Sequence, residues 1–343
     1  MINKVKLWLV VFILLLFGAF LWYLSRPFPA PQQMRYGVTF SKPFAEKLGL
    51  DWKALYAALL DDLGARKLRL PAYWDEIETR EESFDFDDLW WQVREAEKRN
   101  AEIILAVGRK LPRWPECHEP GWLNNQQSAA NHQPQNKEYK QQKLLKYIEE
   151  TINRFKNYES VKYWQVENEP FLPFGECPEF DKEFLEREIE LVRSLDPSRP
   201  VLITDSGELG RWIPAASRAD IFGTTMYFQI YNNWIGQFRY PIGPGFFRAK
   251  SRLTDFIAGK KPKIVVEFQM EPWNPKQIYE TALEEQLAVF PESEFEERVE
   301  FVKKTGFDTI YFWGAEWWYW MGQKHNQWGF WDKARLLFQN SKQ

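Results

Sequence analysis

The sequence predicts an α/β chain: a closed (β/α)8, or TIM, barrel preceded by a single N-terminal transmembrane helix. Three observations carry this. Eight short apolar runs alternate with helical stretches from residue 35 to the end of the chain, the order expected of a parallel barrel. Glu169 and Glu267 are 98 residues apart across three such units, which is about 33 per unit against roughly 30 for a barrel of this kind. Leu7 to Leu24 is 18 residues without a charge, about the length that spans a bilayer as a helix. The rival fold is an open doubly wound sheet, but no Gly-rich phosphate loop follows the first strand.

The chain divides into a membrane anchor (1–27), a linker (28–34) and a barrel domain (35–343). Lys4 and Lys6 precede the apolar stretch, which predicts a cytoplasmic N-terminus and an extracytoplasmic barrel. A cleaved signal peptide is the alternative. Ala19-Phe20-Leu21-Trp22-Tyr23-Leu24 lacks the small-x-small cleavage pattern, and Trp22 and Tyr23 suit an interfacial belt. Pro27, Pro29 and Pro31 make a stiff spacer. The 45 Lys+Arg and 48 Asp+Glu nearly balance, so nucleic acid is not an expected partner. The 18 Trp residues fit a large core or a surface that stacks on sugar rings. Cys117 and Cys177 are the only cysteines. In an exported domain they are free to pair, and a disulfide and two separate thiols both remain open. They do not suggest a metal site. The oligomeric state is not encoded legibly.

In order, Arg35–Phe40 reads as the first strand and Asp51–Leu63 as a helix with an apolar face on Trp52, Leu55, Leu59, Leu60 and Leu63. Arg66–Leu70 is the second strand, with Arg69 near its tip. A helix lies within 84–99, and Glu102–Val107 is an almost wholly apolar third strand, as burial on both faces requires. Residues 108–136 form a long irregular loop, and loops of that length are usually functional or disordered. A helix over 137–157 leads into the fourth strand, Val161–Val166. Then come a helix (181–195), a fifth strand (201–204), a sixth (221–226), an aromatic insertion (228–250) with a short helix to about residue 258, and a seventh strand, Lys263–Val266. Helices over 276–289 and 292–305, the eighth strand Thr309–Trp313, a Trp-rich loop and a last helix near 332–338 close the chain.

The chemistry centres on Trp164-Gln165-Val166-Glu167-Asn168-Glu169-Pro170. The proline stops the strand, so Glu169 sits at its C-terminal tip, where barrels place reactive groups. Glu267 occupies the corresponding tip of the seventh strand. Two carboxyls facing each other across a barrel mouth are what glycoside hydrolysis needs: one protonates the leaving oxygen, the other attacks the anomeric carbon or activates water. Glu167 lies inside the strand and is read as pairing within the barrel wall; Glu271 lies in the loop beyond Glu267. His118 and His325 have no evident partner, and Asp205 fits a helix cap as well as a sugar ligand. Trp317 and Trp318 compete with Trp313 as a sugar platform.

Asn168-Glu169-Pro170 with Glu267, together with Arg69-Leu-Pro-Ala-Tyr-Trp-Asp-Glu-Ile-Glu and Phe84-Asp-Phe, resembles the clan A, or 4/7, superfamily of retaining glycoside hydrolases, which holds cellulases, mannanases and β-galactosidases. The resemblance covers most of residues 35–335. It implies Glu169 as general acid/base and Glu267 as nucleophile. It further implies Asn168 on the sugar 2-hydroxyl, Arg69 holding Glu267 ionised and oriented, and Tyr227 donating to Glu267. Trp313, with Trp317 beside it, would be the floor of the reactive subsite. The loop Gly108-Arg109-Lys110-Leu111-Pro112-Arg113-Trp114 departs from the pattern after strand three and reads as basic.

The sequence thus leads to a membrane-anchored retaining O-glycosyl hydrolase that cleaves β-linked oligo- or polysaccharide by double displacement, with no metal or organic cofactor implied. The alternatives are a non-catalytic carbohydrate-binding barrel at the cell surface and a transglycosylase remodelling envelope glycans.

Overall fold

The computed structural model describes residues 4–125 and 134–341, apart from the side chains of residues 4, 5, 7, 17, 20, 21, 24, 124, 125 and 134–136. Eight parallel strands close into a barrel: Arg35–Thr39, Lys67–Pro71, Glu102–Val107, Val161–Val166, Val201–Asp205, Ile221–Met226, Lys263–Gln269 and Thr309–Trp313. Each pairs with its sequence neighbours, and the eighth closes the ring on the first through Arg35–Thr309 to Thr39–Trp313. The expected barrel is therefore the observed one.

Burial explains which runs become strands. Ile104, Leu202, Val266 and Tyr311 fill the barrel interior. The alternate residues, such as Ile103, Leu105, Ile203, Val265 and Phe312, belong to the larger shell between strands and helices. Because neither strand face meets water, apolar residues run on without alternation.

The structure differs from the expectation in places. The seventh strand continues to Gln269, so Glu267 lies within the strand's last three residues rather than beyond its end. A helix Lys42–Lys47, capped by Ser41, follows the first strand. The aromatic insertion contains a hairpin, Gln229–Asn232 with Gly236–Arg239, before the helix Pro244–Ala258. The stretch 276–289 is a single 3-10 turn and the short helix Leu283–Val289. The Trp-rich stretch after strand eight is a helix, Ala315–His325, not a loop.

Lys4–Ser25 is helical, and Trp8 through Leu16 are exposed. Among the described residues no helix is long and apolar enough to cross a membrane. The expected span, Leu7 to Leu24, includes side chains that lie outside the described residues.

Cys117 and Cys177 are bonded, which settles the open pairing. The bridge ties the loop after strand three to the loop after strand four, closing 60 residues of chain. In the chain-entropy view a loop of that length is worth up to about 4 kcal/mol. A reductant, or the Cys117→Ser/Cys177→Ser pair, should therefore lower the thermal midpoint of the barrel by several degrees. Calorimetry with and without reductant measures it; an unchanged midpoint would show that the bridge constrains nothing.

Candidate active site

The fourth strand ends at Val166, and the chain then turns through two left-handed residues, Glu167 (φ 58°) and Glu169 (φ 45°). Such angles are uncommon outside glycine and persist only where neighbours enforce them. Here they do. The Glu167 carboxylate accepts the Arg109 and Lys110 N–H groups at 2.7 and 2.6 Å. The Asn168 N–H donates to the Lys110 carbonyl at 2.6 Å. The Glu169 N–H donates to Thr204 Oγ1 at 2.8 Å. The Lys110 ammonium donates to the Glu169 and Leu172 carbonyls at 3.1 and 2.6 Å. Gly108 (φ 127°) is required, because a Cβ there would sit 2.6 Å from Glu167 Oε1. Glu167 is thus a clamp on the loop after strand three, just past the strand end, and not a partner within the barrel wall.

Arg69, fully buried on the second strand, connects the two reactive tips. Its guanidinium donates to Gln165 Oε1 (2.7 Å), Glu267 Oε1 (2.6 Å) and Asn168 Oδ1 (2.7 Å). Tyr227 Oη donates to the other Glu267 oxygen at 2.8 Å. Glu267 is therefore held at both oxygens. Glu169 is held at one: Thr225 Oγ1 donates to its Oε1 at 3.0 Å. Thr225 is the sixth-strand residue paired in register with Glu267, so one threonine side chain connects the strand beside one glutamate to the carboxyl of the other. Burial first, and then the charges of Glu267 and Glu116, push the Glu169 carboxyl well above the usual range. Burial and Glu267 likewise raise the Tyr227 phenol well above its ordinary value.

Glu169, Glu267, Thr225 and Tyr227 open on a cavity of about 670 Å³, also lined by Trp313, Tyr231, Trp273 and Glu208, with Arg69 and Asn168 buried behind them. That volume suits a small ligand site. Burial lifts Glu208 to about 8, although its Oε1 accepts the Tyr227 N–H at 2.8 Å.

The loop read as basic turns its charges inward. Arg113 crosses the mouth and forks onto Glu271, reaches Glu316 at 3.2 Å, and lies between the rings of Phe44 and Trp313 at 3.6 and 3.9 Å. Trp313 lines the cavity as expected, but Arg113 takes one of its faces. Glu271, set aside on sequence, is the principal partner of that arginine. Trp317 does not reach the site. It is fully buried in helix Ala315–His325, bonds Gln286 through its indole N–H at 2.7 Å and packs on Phe290 and Phe330. The helix that replaces the expected loop is what carries it into the core, and Trp318 follows, donating to the Met270 carbonyl.

The remaining candidates resolve as structural. Asp205 accepts the Ser206 and Trp212 N–H groups at 2.9 and 2.8 Å and so shapes its own loop. His118 has partners that the sequence did not reveal: Nδ1 is 3.5 Å from Asp75, and Nε2 is 3.2 Å from the Arg113 carbonyl. His325 stacks against Trp320. Of the residues missed on sequence, Thr225 had a signal: it precedes Tyr227 by two positions and so shares its face of the strand. Glu116 and Arg113 had none.

The family model described as "Glycosyl hydrolases family 2, TIM barrel domain" matches residues 116–287. No curated protein matches the chain. Among solved structures, a β-galactosidase from Rahnella sp. R3 superposes with TM-score 0.56 at 12% identity, over 84% of this chain and 52% of the other. The exo-β-1,4-mannosidase from Opitutaceae bacterium strain TAV5 gives 0.55 at 13%, over 84% and 53%. The endo-β-1,4-mannanase from Thermotoga petrophila gives 0.50 at 14%, over 85% and 69%. The chain spans about half the length of the first two. At these identities the likeness is one of fold.

Arg69→Ala leaves Glu267 buried without its cation, a loss that typically costs about 3–5 kcal/mol. Arg69→Lys keeps the charge but loses the planar fork that reaches acceptors in three fixed directions. Urea unfolding should show Ala well below Lys and Lys below wild type. Equal midpoints for all three would mean that the fork adds no stability.

Proposed function

The chain belongs to the glycosyl hydrolase family 2 TIM-barrel family, and on that footing we propose that it is a retaining β-glycosidase. Glu267 attacks the anomeric carbon while Glu169 protonates the departing oxygen. A covalent glycosyl-enzyme forms, and Glu169, now a base, draws a proton from the water that releases the sugar. The observation that supports this best is the unequal treatment of the two carboxyls. Glu267 accepts from a guanidinium and a phenol, which suits a group that must carry charge. Glu169 is buried beside that charge and keeps its proton more tightly than an ordinary glutamate, which suits an acid. Once Glu267 is esterified its charge is gone, and Glu169 becomes easier to ionise for the second step. Asn168, fixed through Oδ1 by Arg69, offers its Nδ2 hydrogens to the sugar 2-hydroxyl. The substrate is a β-linked oligo- or polysaccharide.

The test is a panel of aryl β-glycosides with wild type, Glu267→Ala and Glu169→Ala. Glu267→Ala should be inactive and regain turnover with azide, giving the α-glycosyl azide. Glu169→Ala should lose about 10²–10⁴-fold on poor leaving groups and give the β-azide. In wild type, kcat/KM should fall as pH rises through the elevated Glu169 value, because the free enzyme then lacks its acid proton. Variants as active as wild type would remove both glutamates from the mechanism.

The same proposal places the barrel outside the cytoplasm, held by the N-terminal helix. Supporting this, Leu253, Phe256 and Ile257 stand 54%, 87% and 54% exposed on one face of helix Pro244–Ala258. The neighbouring Arg252 donates to Tyr23 Oη at 2.9 Å, so this apolar face lies by the foot of the N-terminal helix. The full chain should stay with membranes through a carbonate wash. Release by carbonate would sink the anchor.

A further inference from the structure

We infer that the reactive pocket is built for a sugar bearing a free ammonium group, a 2-amino-2-deoxy-β-glycoside, and that Glu116 recognises it. This rests on the glycosidase reading above.

Glu116 shares the cavity of Glu169 and Glu267, which Glu208 and Glu271 also line, and only 8% of it is exposed. Among the described residues its one side-chain hydrogen bond comes from Asn168 Nδ2 at 3.4 Å, a long contact. Among the described residues it forms no ion pair. The two nearby cations are committed elsewhere: Arg69 serves Gln165, Glu267 and Asn168, and the Lys110 ammonium serves two carbonyls. A buried carboxylate without a cation is unfavourable, and this one also faces Glu267. Burial and that neighbour lift it to about 8.

The chain goes to some length to hold it there. Glu116 has a left-handed backbone (φ 72°). Its N–H donates to the Arg113 carbonyl and its carbonyl accepts the Leu111 N–H, both at 2.7 Å. Gly175 (φ 91°) leaves room for it, since a Cβ at 175 would stand 2.4 Å from the Glu116 Cβ. The next residue, Cys117, is locked by the disulfide. Glu116 is fixed in place by the loops after strands three and four, not swung in from solvent.

The position of the carboxyl indicates its ligand. In the proposed reaction Asn168 Nδ2 faces the substituent on C2 of the sugar. Glu116 contacts that same Nδ2, so its carboxylate falls beside the C2 substituent. An ammonium there would displace the proton that the raised Glu116 otherwise holds, donate to the carboxylate that Asn168 Nδ2 also serves, and lie close to Glu267. A neutral hydroxyl brings no charge to offset either carboxyl. An N-acetyl group offers the carboxylate one N–H but no charge, and it must also bury its carbonyl and methyl in the same corner.

The experiment uses the full chain at pH 6 on aryl β-glucosaminide and β-galactosaminide, each beside its 2-hydroxy and N-acetyl counterpart. Wild type should favour one amino sugar over both counterparts by about 10²-fold in kcat/KM, the scale of a buried charge contact. Glu116→Gln should shrink that amino-to-hydroxy ratio by a similar factor, mainly through KM. If Glu116→Gln does not fold, the wild-type ratios decide alone, together with thermal shift: free glucosamine should raise the wild-type midpoint more than glucose does. A neutral or N-acetyl glycoside cleaved as well as its amino counterpart would overturn the inference and leave the hydrolase reading intact. No cleavage of any glycoside by the folded chain would overturn both.

Discussion

The site depends on one buried guanidinium. Arg69 comes from the second strand, yet its three acceptors belong to the fourth strand, its terminal turn and the seventh strand. A charge without solvent access must be paired and fully hydrogen-bonded. Lysine could not do this, since it lacks the rigid fork that meets three acceptors in fixed directions. The consequence runs outward. For Asn168 to face Arg69, the chain on either side must adopt left-handed angles. For those to persist, Glu167, Thr204 and Lys110 must each hold the turn. The strain at the strand tip is borne by hydrogen bonds that the barrel closure itself brings together.

That frame divides the labour of the carboxyls. Chemically identical groups differ only by what surrounds them. Glu267 receives a cation and a phenol, whereas Glu169 receives a threonine hydroxyl and the field of its neighbour. Arg113 does not upset this balance, because Glu271 and Glu316 absorb its charge and its faces are covered by rings. Hence the mouth keeps an anionic interior although several basic residues stand around it.

Legibility followed locality. Strands Glu102–Val107, Val161–Val166, Ile221–Met226 and Thr309–Trp313 match the sequence reading residue for residue, because each is rich in buried apolar or β-branched residues and bounded by turn residues. The seventh strand was read short: Glu267 and Gln269 look like loop residues, and only the pocket behind them explains polar side chains in a strand. The Trp-rich segment Ala315–His325 reads as a loop on sequence. As a helix it turns Trp317 and Trp318 into the core. Glu169 and Glu267 are legible because they lie at or near the tips of strands whose register is set by the barrel, whereas Arg69, Asn168 and Tyr227 are named only by the resemblance. His118, Arg113 and Glu116 were not legible, as their roles arise from a loop folding across the mouth, which no short-range pattern records.

That loop carries the most individual chemistry in the molecule. Read along the sequence, residues 108–114 are a run of positive charge. Folded, Lys110 supports the turn that holds Glu169, Arg113 covers a face of Trp313, and Glu116 enters the pocket beside Glu267. The barrel supplies the two facing carboxyls, Glu169 and Glu267, and in the proposed mechanism would do so for many sugars. Discrimination has to come from groups that differ from one barrel to the next, and such groups sit on loops held by a rigid scaffold. Here the scaffold includes a covalent bond at Cys117, one residue from the only additional carboxyl that touches Asn168 among the described residues. A loop fastened that closely fixes Glu116 in the pocket as firmly as the strands fix Glu169 and Glu267.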